Sequence, residues 1–404
     1  MYTTHGHLTY CTNIHAGESW NDHFASLRKN VPIIKQQVAP HQKFGIGLRL
    51  SNMASYALLD RNTFDTFRQW LDENQCYIFT MNGFPYGGFH HTEVKDQVHA
   101  PDWTTEDRVA YTLRLFDLLA ALLPSNMEGG ISTSPLSYKY WHLPGEQPGI
   151  MQQTTANILR VVEHLINLNK STGKALHLDI EPEPDGLLES GPEFMDWYEH
   201  QLLPQGIDFL RDKLNYTLAE AVAAIRRHVQ LCYDVCHFAV GYEDHHAIVK
   251  QLHDKQIGIG KIQISAALKA TLPTSQTERG EVIDAFRRFN EPTYLHQVVA
   301  LKEDGTLMRY PDLSEALNDA HNPMSKAWRS HFHVPLFVED YGKLESTQED
   351  IRTVLSIHQQ QSLTAHLEVE TYTWEVLPEN MKLPIADSIV REIKWVHDFL
   401  GLPN

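Results

Sequence analysis

Short apolar runs that alternate every second residue take turns along this chain with stretches whose apolar positions recur every three to four residues. The first pattern marks strands and the second amphipathic helices. It predicts strands over residues 8–13, 44–49, 77–81, 129–134, 176–181, 229–234, 261–265 and 366–370. Between them it predicts helices over 19–38 (interrupted at Pro32), 63–73, 104–123, 154–169, 193–229 (broken near Pro204), 244–255, 277–289, 347–360 and 386–400. Thr104 with Asp107, and Thr347 with Asp350, have capping-box spacing, and Gly173 is placed to end a helix. Eight strands separated by helices imply a parallel sheet, most simply a closed (β/α)₈ TIM barrel formed by residues 1–404 as one domain. The rhythm breaks at about residues 270–345, an insertion after strand seven. It is expected to hold a hairpin turning at Asp304-Gly305 and an extended segment over 331–337.

Strand parity then sorts the polar residues. Leu176, Leu178 and Ile180 oppose His177, Asp179 and Glu181, while Leu367 and Val369 oppose His366, Glu368 and Glu370. In strand seven Ile262 and Ile264 oppose Lys261, Gln263 and Ser265, and strand six ends in Asp234 with His237 three residues on. A barrel packs its outer strand surface on apolar helices, so the polar sets are expected to converge inside. Burying that many ionisable groups unpaired would cost several kcal/mol apiece. A divalent cation held by Glu181, Asp234 and Glu370, with the Gln263 amide oxygen, would neutralise them. The rival arrangement is an internal salt-bridge network through Lys261, Arg49 and the histidines. An oxygen-rich set suits Mn²⁺ or Mg²⁺, and ligation by His237 or His333 brings in Zn²⁺, Fe²⁺ or Co²⁺.

Composition narrows the partners. The formal charge of -17, without a basic run, disfavours nucleic acid and anionic membranes and leaves a small molecule as the expected ligand. The 24 histidines cluster near predicted strand ends, which favours metal chemistry. Four cysteines, and neither a long apolar run nor a leader pattern, fit a cytoplasmic protein with reduced thiols. In the loop 82–91, Asn82, Phe84 and Tyr86, with Phe89, suit the wall of a ligand pocket, and His90 and His91 its rim. His331 and His333 share parity before Pro335 and are expected to bind substrate or metal. Glu183 and Glu375 read as solvated loop carboxylates. Trp328 and Trp374 read as packing residues, with lining of the pocket as the alternative for both and Trp374 the candidate substrate-binding residue.

The segment from Asp234 to Tyr242 (Asp-Val-Cys-His-Phe-Ala-Val-Gly-Tyr) resembles the xylose isomerase-like barrel superfamily, its endonuclease IV branch in particular. That resemblance implies metal ligation by Glu181, Asp234, His237 and Glu370, and by the segment His331-Phe-His333. It expects a histidine where Gln263 stands. Four further segments, beginning at Tyr10, Ile131, His331 and Leu367, resemble the metabolite traffic protein EboE family. This implies handling of a small secondary metabolite beside membrane proteins of the same gene cluster. The resulting expectation is metal-dependent isomerase or epimerase-type chemistry on a polyol or hydroxy-carbonyl compound, with Glu181 and Glu370 exchanging the proton and His237 orienting a substrate oxygen. The alternatives are a non-catalytic carrier and a metal-dependent phosphodiester nuclease.

Overall fold

The computed structural model describes residues 1–15, 17–85, 95–290, 294–374 and 381–401. Eight parallel strands follow one another around a barrel: β1 (Gly6–Tyr10), β2 (Phe44–Arg49), β3 (Cys76–Asn82), β4 (Gly129–Thr133), β5 (Leu176–Ile180), β6 (Val229–Asp234), β7 (Ile259–Ile264) and β8 (His366–Val369). β8 pairs with both β7 and β1. A parallel bridge from Cys11 to Gly47 brings β1 to β2 and closes the ring. Threonine side chains stitch that seam: Thr9 Oγ donates to the Gly45 carbonyl at 2.7 Å and accepts from the Gly47 N–H at 3.2 Å. The fold is therefore the expected (β/α)₈ barrel.

The parity argument holds at the atomic level. Leu176, Leu178, Ile180, Ile262, Ile264 and Leu367 are all fully buried in the apolar layer under the helices. The opposed residues Asp179, Lys261, Gln263, Ser265 and Glu368 are buried as completely, inside the ring. A bulge adjusts β7: Leu231 pairs with Ile259 but Cys232 with Lys261. The extra residue restores the inward parity of Lys261 and Gln263.

Local punctuation differs from expectation at several points. The helix Trp20–Val38 runs straight through Pro32. A proline removes one backbone hydrogen bond, and here Leu27, Val31 and Ile34 anchor the same helix in the core. Near Pro204 the helical stretch after β5 changes from the π-helical segment Tyr198–Leu202 to the α-helix Leu203–Leu214, with the proline in its first turn, so the expected interruption is an irregularity and not an end. Its break falls at Asn215, in the left-handed region at φ 54°. The next helix, Leu218–His228, opens with a full capping box from Thr217 and Glu220. Thr105, not Thr104, caps Glu106–Leu122, because Thr104 is drawn to the Asp102 carboxylate. The Thr347 box does not form either. Its hydroxyl accepts from the Ala267 N–H at 2.8 Å, and Asp350 turns to His245 and Arg329, each at 3.2 Å. Gly173, at φ 72°, does end its helix, Gln147–Thr172.

The insertion holds more than a hairpin and an extended segment. It forms a five-stranded sheet in the order Leu307–Tyr310, Val298–Lys302, Ser325–Val334, Ala266–Thr271, Glu345–Ser346. The expected hairpin is there, turning through Gly305 at φ 82°. The alanine-rich strand Ala266–Thr271 has little β-propensity, which hid it in the sequence. Opposite it, Ser330 pairs with Leu268 but Val334 with Ala266, so the strand carrying His331 and His333 bulges where it passes the barrel mouth.

Candidate metal centre at the carboxyl ends of the strands

Three imidazoles meet over the barrel mouth. His237 lies in the short helix Val235–Val240 that follows β6, and His331 and His333 come from the bulged insertion strand. Each ring has an oxygen acceptor on Nδ1. His237 faces the Pro182 carbonyl at 2.9 Å, His331 the Gln297 Oε1 at 2.8 Å and His333 the Glu370 carbonyl at 3.2 Å. These partners assign the Nδ1–H tautomer to all three neutral rings, which leaves every Nε2 with a bare lone pair. The Nε2 atoms of His237 and His331 are 3.1 Å apart, and those of His331 and His333 3.4 Å. Nitrogens at ordinary zinc–nitrogen distances on a tetrahedron are separated by roughly 3.3–3.4 Å.

The carboxylates close the set from the barrel side. Glu181, Asp234 and Glu370 each bring an oxygen within 4.8 Å of the others, and Asp234 makes a second such group with His237 and His333. Asp234 Oδ1 caps the short helix through the His237 N–H at 3.1 Å and accepts from Ser265 Oγ at 2.7 Å. Its Oδ2 is buried without a hydrogen-bond partner, as is Glu181 Oε2. Glu370 is held on both oxygens, by Asn13 Nδ2 at 2.7 Å and Gln263 Nε2 at 2.6 Å. Burial, then repulsion from Glu370 and Asp234, pushes the Glu181 carboxyl well above the usual range. Burial, then Asp234, does the same to Glu370. Burial brings His333 down to about 4 against the pull of Asp234, and takes His331 well below its usual value with help from His237 and His333. Acids driven towards the neutral form beside neutral imidazoles, with unpartnered oxygens between them, form a donor set that fits a divalent cation.

Beneath this candidate centre lies a salt bridge of the kind the rival expectation named, made by Lys261 but not by Arg49, which pairs with Glu18 at 3.1 Å. Lys261 Nζ is 3.2 Å from Glu368 Oε1, and both side chains are fully buried. Asn82 belongs to this layer and not to the cavity wall, donating to Glu368 at 2.8 Å and accepting from Ser132 Oγ at 2.9 Å. Gln263 departs from the expected oxygen ligand. Its Oε1 accepts from the Cys232 thiol at 2.8 Å, and its amide nitrogen faces Glu370, because a carboxylate can only accept.

The cavity above the centre is lined by Phe84, Glu181, His237, His331, His333 and Glu370 among the expected residues. Trp374 packs on the apolar core instead, and Tyr372 stands in the wall. Tyr86, Phe89, His90, His91 and Glu375 lie outside the described residues. Asn13, His99, Glu183 and Gln297 also line the cavity and were not anticipated in it. Glu183 is no solvated loop carboxylate. Its side chain is 13% exposed, 3.3 Å from His99 Nδ1, and burial with Asp234 and Asp185 pushes it up to about 8. The double Glu-Pro motif after β5 was the available signal, since prolines on both sides of Glu183 fix its direction.

Among the described residues no helix is long and apolar enough to cross a membrane. No family model and no curated protein matches the chain. Among solved structures it is similar to an IolI protein with a bound zinc atom, at 11% identity over 98% of this chain and 98% of that one, TM-score 0.45. It is also similar to a xylose isomerase-like TIM barrel protein from Mycobacterium smegmatis in complex with magnesium, at 11% identity over 99% and 98%, TM-score 0.48. A third similar structure is L-ribulose 3-epimerase, at 9% identity over 98% and 94%, TM-score 0.47.

Proposed function

We propose that this protein is a metal-dependent barrel enzyme of the xylose isomerase-like kind that moves a proton on a small polyol, sugar or hydroxy-carbonyl metabolite. The observation that carries the reading is the meeting of Glu181, Asp234 and Glu370 with His237, His331 and His333 at one cavity floor, two of the carboxylate oxygens lacking any partner. Asp234 with His237 and His333 suits Zn²⁺, Fe²⁺ or Co²⁺, and the three carboxylates suit Mn²⁺ or Mg²⁺. A cation held by these residues would supply Lewis-acid polarisation of a substrate carbonyl or hydroxyl.

The chain's own residues do the rest. Glu181 and Glu370 take and return the proton from the cavity floor, both carboxyls lining it. Asn13 and Gln263 fix the Glu370 carboxylate plane by holding one oxygen each. His237 orients a substrate oxygen, and Phe84 and Tyr372 supply apolar wall. The sequence resemblance to the EboE family supports a secondary metabolite as the compound handled.

The test is metal analysis of the purified protein followed by deuterium exchange from D₂O into a panel of ketoses, aldoses and hydroxy-ketones. Metal-dependent exchange, lost in Glu181→Gln and Glu370→Gln with the fold retained, is expected. Metal and ligand binding with no exchange on any compound would replace this reading with the carrier.

A further inference from the structure

At the opposite, N-terminal end of the barrel a second group of ligating side chains meets, and the chemistry above does not use it. Glu128 directly precedes β4, His177 is near the start of β5 and His366 opens β8. One ligand atom from each lies within 4.8 Å of the other two.

His366 is the informative member. It is fully buried, and among the described residues neither ring nitrogen makes a well-aligned hydrogen bond, the Glu128 backbone being the acceptor that faces it. Phe79 packs edge-on against it, ring centroids 4.9 Å apart, which fixes the ring without satisfying it. A fully buried imidazole without a well-formed hydrogen bond is an exception that calls for a missing ligand.

His177 is prepared in the complementary way. Its Nδ1 lies 2.6 Å from Asp179 Oδ1, so that nitrogen is committed to the carboxylate and Nε2 is the one available to a ligand. Carboxylate, then histidine, then metal is the recurrent way of orienting an imidazole ligand. The barrel makes room for this pair with two glycines. A Cβ at Gly130 would stand 2.3 Å from His177 Cε1, and one at Gly260 1.9 Å from Asp179 Oδ1. Glycine inside a strand weakens it, so this placement marks a close approach that the pair requires.

The site is also reachable. A cavity at this end is lined by His7, Tyr77, Glu128 and His366, and Glu128 itself is exposed. We propose that Glu128, His177 and His366 form a second metal site at the base of the barrel, for a zinc-class cation, with Asp179 orienting His177 and water from the basal cavity completing the shell. Two imidazoles and one carboxylate with an open position is a zinc ligand set. The ion ties together the starts of three strands that are distant in sequence.

The experiment uses the full chain and Zn²⁺ alone, with stoichiometry from elemental analysis after dialysis and affinity from chelator competition. Because Glu128 is exposed, Glu128→Ala leaves the fold intact. It should cost one zinc equivalent, or weaken one class of site by at least about tenfold, while Asp179→Asn weakens the same class by about 10–100-fold. A His331→Ala variant, altered only at the other end, should keep the basal equivalent, so failure of one site is distinguishable from failure of the other. Unchanged zinc stoichiometry and affinity in Glu128→Ala would overturn the proposal, whatever His366→Gln does to folding.

Discussion

His237 Nε2 stands 3.1 Å from His331 Nε2, and each ring gives its other nitrogen to an oxygen, the Pro182 carbonyl and the Gln297 side chain. Two neutral rings in that arrangement point lone pair at lone pair. The contact is unfavourable until a proton or a cation enters, and burial with neighbouring imidazoles already disfavours the proton on His331. The energy that holds the rings in place comes from their Nδ1 partners.

Gln297 is therefore expected to control metal affinity without touching the metal. Gln297→Leu keeps the side chain's bulk but removes the acceptor from His331. Zn²⁺ affinity should fall by about 10–100-fold, read by chelator competition. An unchanged affinity would mean that the His331 tautomer does not matter.

Gln263 holds Glu370 at 2.6 Å and receives the Cys232 thiol at 2.8 Å, all within the barrel. Gln263→Leu leaves a buried carboxylate oxygen without its donor. The cost should be roughly 1–3 kcal/mol in urea unfolding, the range for leaving a buried polar group without its partner. Added Mn²⁺ or Zn²⁺ should recover part of the loss if the cation takes over that oxygen. A metal-insensitive loss would confine Gln263 to packing.

These two residues also mark how far the sequence could be read. The alternation in β5 and β8 was enough to put Glu181 and Glu370 inside, because a period of two leaves no choice once the aliphatic side is known. The same logic placed Asp234 at a strand end. It had no purchase on Gln297, whose role depends on the insertion sheet folding back over the mouth, or on the amide direction of Gln263, which is set by its neighbours. His331 and His333 share parity in the sequence, yet only a bulge opposite Ala266 and Leu268 brings them to the barrel. His99 and Tyr372 stand outside regular strands, where no period points a side chain.

The buried Lys261–Glu368 pair is expected to punish single replacements and tolerate a double one. Lys261→Met strands the Glu368 carboxylate in a fully buried layer, a loss of about 3–5 kcal/mol. Lys261→Met with Glu368→Gln removes both charges, and Asn82 still has a side-chain partner. Chemical denaturation should show the double variant recovering more than half of the loss. Additive losses would mean that the ion pair is not the coupling.

Glu392 gives a pH signature outside the metal centre. Its Oε1 accepts from the Leu336 N–H at 2.8 Å and the Thr371 hydroxyl at 3.0 Å, tying the segment after His333 to the segment after Glu370. Burial pushes its carboxyl up to about 8, from an unfolded value of 4.5, against those hydrogen bonds. A folded-state pKa above the unfolded one means that the folded chain holds a proton which the unfolded chain releases. Its stabilising contribution is complete below pH 4.5 and declines as pH rises through about 8. Glu392→Gln keeps an acceptor and cannot ionise, so it escapes that decline. The Tm of the variant should gain on the wild type between about pH 5 and pH 8 and level off above that, following the linkage slope. Parallel Tm curves across that range would show that Glu392 is ionised in the folded protein at neutral pH, held by its donors despite its burial.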